Sequence, residues 1–145
     1  MAEIRMMVEC AAPARTVFSF VASGDGLARW WAADVTETPS GAVEIGLFDR
    51  RTVVRLRAET MVIPARVAWS VEQGDDWAGT FILFELVDQG DRCRVYFAHA
   101  GWADESDDFL RSSALWGMLL HRLARAVEGA NPGPWFTRSG VTAAV

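Results

Sequence analysis

The chain has 145 residues, 51% hydrophobic and 23% charged, which suits one folded domain around one core and excludes a disordered segment. Its net charge is −5 and all 14 basic residues are arginine. There is thus no basic stripe for nucleic acid or an anionic membrane, and lysine-based Schiff-base or nucleophile chemistry is absent.

Residues Glu3 to Cys10 alternate, with Ile4, Met6, Val8 and Cys10 on one side and Arg5, Met7 and Glu9 on the other, as in a half-buried strand. Pro13 opens a helix that buries Val17, Phe18 and Val21, and Gly24 and Gly26 break it. A second short helix runs through Leu27, Trp30 and Trp31. Strands are then predicted over Val43–Phe48, Thr52–Ile63, Arg66–Glu72, Ala78–Val87 and Arg92–Gly101, with turns at Gly74-Asp75-Asp76 and at Asp88–Asp91. The last element, Ser106 to Gly129, reads as one long helix. Ser106 is its N-cap, Asp107 and Asp108 suit the positive end of its dipole, and Gly129 and Pro132 stop it. Phe109, Ser113, Trp116, Leu120, Leu123 and Val127 share one face, which Leu110, Leu115, Met118 and Leu119 broaden.

One strand, two short helices, a meander of strands and one long helix give an α+β architecture with an antiparallel sheet. At roughly 25 cal/mol per Å² of apolar surface, the contact between the long helix and that sheet dominates stability.

Several stretches together resemble a known group. They are Pro13, Val17, Phe18, Val21, Leu27, Trp30 and Trp31; the segment from Ile63 to Val71; the segment from Gly90 to Trp102; and Trp116, Leu120, Leu123, Glu128 and Gly129. In order and spacing they resemble the START-like (SRPBCC, Bet v 1-like) superfamily, and within it the family of the C-terminal domain of the activator of Hsp90 ATPase. The resemblance implies a helix-grip fold, in which a curved antiparallel sheet of about six or seven strands wraps a long C-terminal helix, often with a cavity between them. It covers roughly Ile4 to Gly129, which places a domain at 1–131 and leaves a tail at 132–145 without a counterpart. The chain departs from the pattern at Ala32-Ala33-Asp34, where the family often has proline, and in the arginine-rich stretch from Phe48 to Arg55.

The superfamily includes binders, cyclases and co-chaperones, so function has to be read from candidate residues. The leading expectation is a small hydrophobic or aromatic ligand held between the sheet and the helix by Trp30, Trp69, Phe84, Phe97, His99, Trp116 and Leu120, with no assigned reaction. Trp30, Trp69 and Trp116 equally read as plain core. His99 faces the grip interior beside Val95 and Phe97. It either serves a ligand, as acid or base of a cyclase- or dehydratase-like enzyme, or is a structural histidine bonded to backbone. A third reading is a co-chaperone-like interaction domain. Trp31 and Trp77 are expected to be more peripheral, Trp77 at a cavity mouth or over an edge.

Arg55, Arg57 and Glu59 share a parity that is expected to face solvent, because buried unpaired charge is costly. Glu85 shares its parity with Phe81 and Leu83, which would leave apolar residues on the convex face, as in a homodimer contact. Asp104, Glu105, Asp107 and Asp108 read as a solvated complement to the helix dipole, and His121 lies at the helix flank. With Cys10 and Cys93 the only cysteines and no His/Cys spacing, no metal, disulfide framework or cofactor is expected. No signal peptide or bilayer-spanning stretch is seen, so the expected location is cytoplasmic.

Overall fold

A computed structural model of the chain describes residues 1–142. The elements run β1 (Ala2–Cys10), α1 (Ala14–Val21), α2 (Gly24–Leu27), β2 (Asp34–Glu37), β3 (Ala42–Leu47), β4 (Thr52–Val62), β5 (Arg66–Gln73), a 3-10 turn (Asp75–Trp77), β6 (Phe81–Asp88), β7 (Cys93–Trp102) and α3 (Asp107–Val127). The strands form one seven-stranded antiparallel sheet in the order β1-β7-β6-β5-β4-β3-β2. The sheet grips α3, so the α+β helix-grip expectation holds.

Each element follows its local chemistry. The Ser106 side chain accepts from the Phe109 amide and caps α3, with Asp107 and Asp108 in its first turn. Trp116, Leu119, Leu120, Leu123 and Val127 are buried on its inner face. The inner stripe passes through Ser112 rather than Ser113, and Leu110 is 55% exposed, so the apolar face is narrower at the start of the helix than its sequence suggests. The short helix α1 leaves carbonyls free at its C-terminal end, and two tryptophans satisfy them. The Trp30 indole donates to Phe20 O (2.9 Å) and the Trp69 indole to Val21 O (3.0 Å).

The sequence reading missed β2. Its first residue, Asp34, is nearly buried and accepts two hydrogen bonds from the Arg50 guanidinium, at 2.9 and 3.1 Å. The same guanidinium reaches Glu44 and Thr36. That bond to Arg50 holds the Asp34 carboxyl below its ordinary range. Gly46 opposite is the residue this arrangement requires, since a Cβ there would collide with the Asp34 carboxylate. Arg55 and Arg57 lie on the outer face and pair with Glu44 and Glu72, as expected for solvated charge.

Residues beyond α3 return to the body. Trp135 N donates to Trp30 O (3.1 Å), Phe136 N to Trp31 O (2.9 Å), and Ala33 N to Phe136 O (2.8 Å). Arg122 of α3 holds the start of this segment through the carbonyls of Pro132 and Gly133. The part of the 132–145 tail beyond Thr142 lies outside the described residues.

Trp116 is fully buried at the middle of α3. Trp116→Ala is expected to lower unfolding free energy by about 3–5 kcal/mol, as measured by chemical denaturation. A loss below about 1 kcal/mol would mean that the site is already hollow.

Candidate functional site

The interior between α3 and the sheet is filled by aromatic rings. Phe84 packs on Phe97 (centroids 5.3 Å), Phe97 on Trp116 (4.4 Å), and Trp116 on Trp31 (5.1 Å). Trp31, expected to be peripheral, is 1% exposed and stands in the middle of this cluster because the backbone after α2 turns it under α3.

His99 lies in the same interior and is 0% exposed. Its hydrogen bonds fix its tautomer. An indole N–H can only donate, so the Trp116 Nε1 contact at 2.9 Å makes Nδ1 the acceptor. The proton therefore sits on Nε2, which donates to Thr80 Oγ1 at 2.8 Å, and Thr80 in turn donates to Trp77 O. Burial pushes the His99 pKa down from 6.5 to about 3. The ring is neutral and has no free nitrogen. Both ring nitrogens are bonded to side chains rather than to backbone.

The seven residues expected to line the ligand cavity, Trp30, Trp69, Phe84, Phe97, His99, Trp116 and Leu120, are all at most 3% exposed. They meet one another rather than open space. Their inward parity is as expected, but large rings from facing elements fill the volume they enclose.

Open space lies nearer the surface. A groove of ≈ 350 Å³ runs between the start of α3, the 3-10 turn and the β3–β4 hairpin. Half-buried Trp77, Leu47 and Leu115 face it, with the nearly buried Trp31, Val54 and Phe136 backing them. Trp77 stacks on Trp116 (5.5 Å, interplanar 18°) and donates its indole N–H to Ser112 Oγ at 2.9 Å. Phe48 meets Phe136 edge-on at 5.9 Å. Phe48, Asp49 and Arg50 all have positive φ, a conformation that side-chain-bearing residues seldom adopt. That turn sends Phe48 to the groove and Arg50 to Asp34, and Asp49 N is tied to Arg138 O at 2.6 Å.

The rim is polar. Asp75, Asp76 and Asp108 line it with a single cation, Arg111. Arg111 pairs with Asp108 and holds that carboxyl below its ordinary range, while a hydrogen bond to Asp108 holds Asp76 above its own. Asp108 thus belongs to the groove as well as to the helix dipole. Among the described residues, no three His, Cys, Asp or Glu side chains converge as a metal site, and no helix is long and apolar enough to cross a membrane. Cys10 and Cys93 are free thiols opposite one another on β1 and β7, and burial pushes Cys10 up to about 12.

Sequence reasoning left Trp77 between a cavity mouth and an edge, and missed Thr80, Ser112, Leu115 and Phe136 as its surroundings. Thr80 sits between the turn and β6 with no periodicity to mark it. Phe136 lies in a segment without regular structure.

With this geometry in place, the fold can be compared with known ones. The Aha1 dimer from Colwellia psychrerythraea has the same fold, with 20% identity, 88% of this chain and 97% of that chain covered, and a TM-score of 0.77. CalU16 from Micromonospora echinospora matches at 19% identity over 90% of this chain and 68% of that one, with a TM-score of 0.69. DynU16, a protein of the dynemicin biosynthetic locus, matches at 18% identity with a TM-score of 0.73, over 94% of this chain but only 51% of its own. The chain therefore spans about half the length of DynU16. No family model matches the sequence, and no curated protein matches it. What these likenesses establish is the fold: the chain has the helix-grip architecture.

The buried neutral imidazole makes a pH prediction. Between pH 6.5 and about 3 the unfolded chain binds a proton that folded His99 refuses, so stability is complete above pH 6.5 and falls as pH falls through that window. Denaturation of the native protein at pH 7.5 and pH 5 should show this contribution as a loss of about 2 kcal/mol. His99→Gln should flatten that part of the slope, and an unchanged slope would contradict the assignment.

Proposed function

We propose that the chain binds a small aromatic or apolar molecule in the groove walled by Trp31, Trp77, Leu115 and Phe136, without covalent chemistry. The observation that carries this is an aromatic-walled opening of ≈ 350 Å³ beside a solidly packed interior, a volume in the range of small-molecule sites. It moves the ligand from the seven deep residues to the mouth of the grip. The deep rings act as the rigid wall on which the groove is built, because Trp77 stacks directly on Trp116.

The rim adds a charge preference. Three carboxylates face one guanidinium, and that guanidinium is already engaged by Asp108. An anionic ligand would meet net repulsion there, so neutral or cationic ligands are favoured. The acid/base reading of His99 receives no support from this geometry, since both ring nitrogens are engaged out of reach of solvent.

Fluorescence titration with the neutral probe N-phenyl-1-naphthylamine tests the reading. Leu115 is half-buried on the groove wall, so Leu115→Trp should fill the space. Affinity should fall about tenfold or more with little change in melting temperature. A carboxylated analogue of the probe should bind the native protein more weakly than the neutral one. Equal probe affinity in native and variant proteins would move the ligand out of this groove.

A further inference from the structure

The two edges of the sheet differ. At one, β2 is four residues long. At the other, β1 runs for nine residues without proline, and among the described residues it pairs only with β7. Its pairing with β7 shifts register between Ala2 and Ile4 and is regular from Ile4 to Cys10, and an open edge of that length is a template for another strand unless something blunts it. The outward side chains of β1 are Glu3, Arg5, Met7 and Glu9, all exposed, with Met7 at 53%. Beside Met7 on β7 stands Tyr96, 39% exposed.

We infer that the chain forms a two-fold symmetric homodimer by antiparallel pairing of β1 with β1 of a second copy, with Met7 facing Met7 on the axis. The charges select both the partner and the register. Pairing about Met7 sets Arg5 of each copy opposite Glu9 of the other, twice by symmetry, and keeps Ile4, Met6, Val8 and Cys10 on the concave side of both sheets. Sliding by one step of the pleat in one direction opposes Glu3 to Glu9, like against like. In the other direction it opposes Met7 to Glu9 and leaves Arg5 beyond the paired charges. A slip of odd parity would turn the apolar residues outward.

The intramolecular partners of these charges do not compete. Arg5 meets Glu3 only at 3.7 Å, and both bonds that Glu9 takes from Arg94, at 3.2 and 3.1 Å, fall on Oε1, which leaves Oε2 for Arg5 of the other copy. Around the axis, Met7 and Tyr96 of both copies make one apolar strip, which ends at Glu85 on β6. On the concave side, Gly117 of α3 sits over Met6, whose Cε lies 4.0 Å from where a Cβ would project. The absence of a side chain there leaves room for Met6. Main-chain hydrogen bonds supply the attraction, and the ion pairs fix the alignment.

Sedimentation velocity over a concentration series tests this with four proteins. The native chain should sediment as a dimer that dissociates on dilution. Met7→Lys, which puts two ammonium groups on the axis, should be monomeric at all concentrations. Arg5→Glu should raise the dissociation constant about tenfold or more, because it sets a carboxylate opposite Glu9 of the other copy. The double variant Arg5→Glu, Glu9→Arg should restore the dimer. All three substitutions are at exposed positions, and circular dichroism confirms that each variant is folded. A monomeric native chain, a dimer that survives Met7→Lys, or a folded double variant that stays monomeric would each overturn the proposal.

Discussion

The hydrogen bond from the Trp116 indole to His99 joins the middle of the long helix to β7, next to the β1 edge of the sheet, and the rest of the molecule is arranged around it. It is made between two fully buried groups, so removing either partner leaves a polar atom stranded in a dry interior. It also sets the rotation of α3 about its axis. With Trp116 pointing at β7, Ser112 and Leu115 fall on the side of the groove and Leu119 and Leu123 on the side of the core. The relay continues through Thr80 to the carbonyl of Trp77, so the same bond chain positions the groove wall. The core is closed by rings, and the groove opens where the rings end.

The two stretches in which the sequence departs from the family it resembles form one structural feature. Where proline is frequent after the tryptophan pair, this chain has Ala33, whose N–H donates to Phe136 O. A proline there would have no donor. The returning segment that Ala33 receives supplies Phe136 to the groove and Arg138 to the backbone of the β3–β4 turn. The arginine-rich stretch completes the arrangement, because Arg50 in that turn clamps Asp34 directly after Ala33. The tail, the missing proline and the arginines together build the outer wall of the candidate site.

Much of the fold was legible because its signals are periodic. Alternation marked β1, β5 and β7, and the spacing of Trp116, Leu120 and Leu123 marked α3. β2 was missed because a four-residue strand held by the Asp34–Arg50 pair carries almost no apolar pattern. The inward parity of Trp30, Trp69, Phe97 and His99 was readable, but not whether they enclose space, since periodicity gives direction and not volume. Trp31 was read as peripheral because nothing local reveals that a chain segment over a hundred residues away, around Phe136, bonds its backbone and closes over it. The groove is built by turns and a tail, where sequence patterns are weakest.

The central claim is that the grip interior is solid and that ligands meet the protein at Trp77. Its most direct test is the indole N–H region of a nitrogen-15 correlation spectrum during titration with N-phenyl-1-naphthylamine. The account predicts that the Trp77 indole resonance, hydrogen-bonded to Ser112, shifts progressively with probe. Those of Trp30 and Trp69, which donate to the carbonyls of Phe20 and Val21, should stay in place. Large shifts at Trp30 and Trp69 with Trp77 unmoved would show a probe inside the grip and contradict the account.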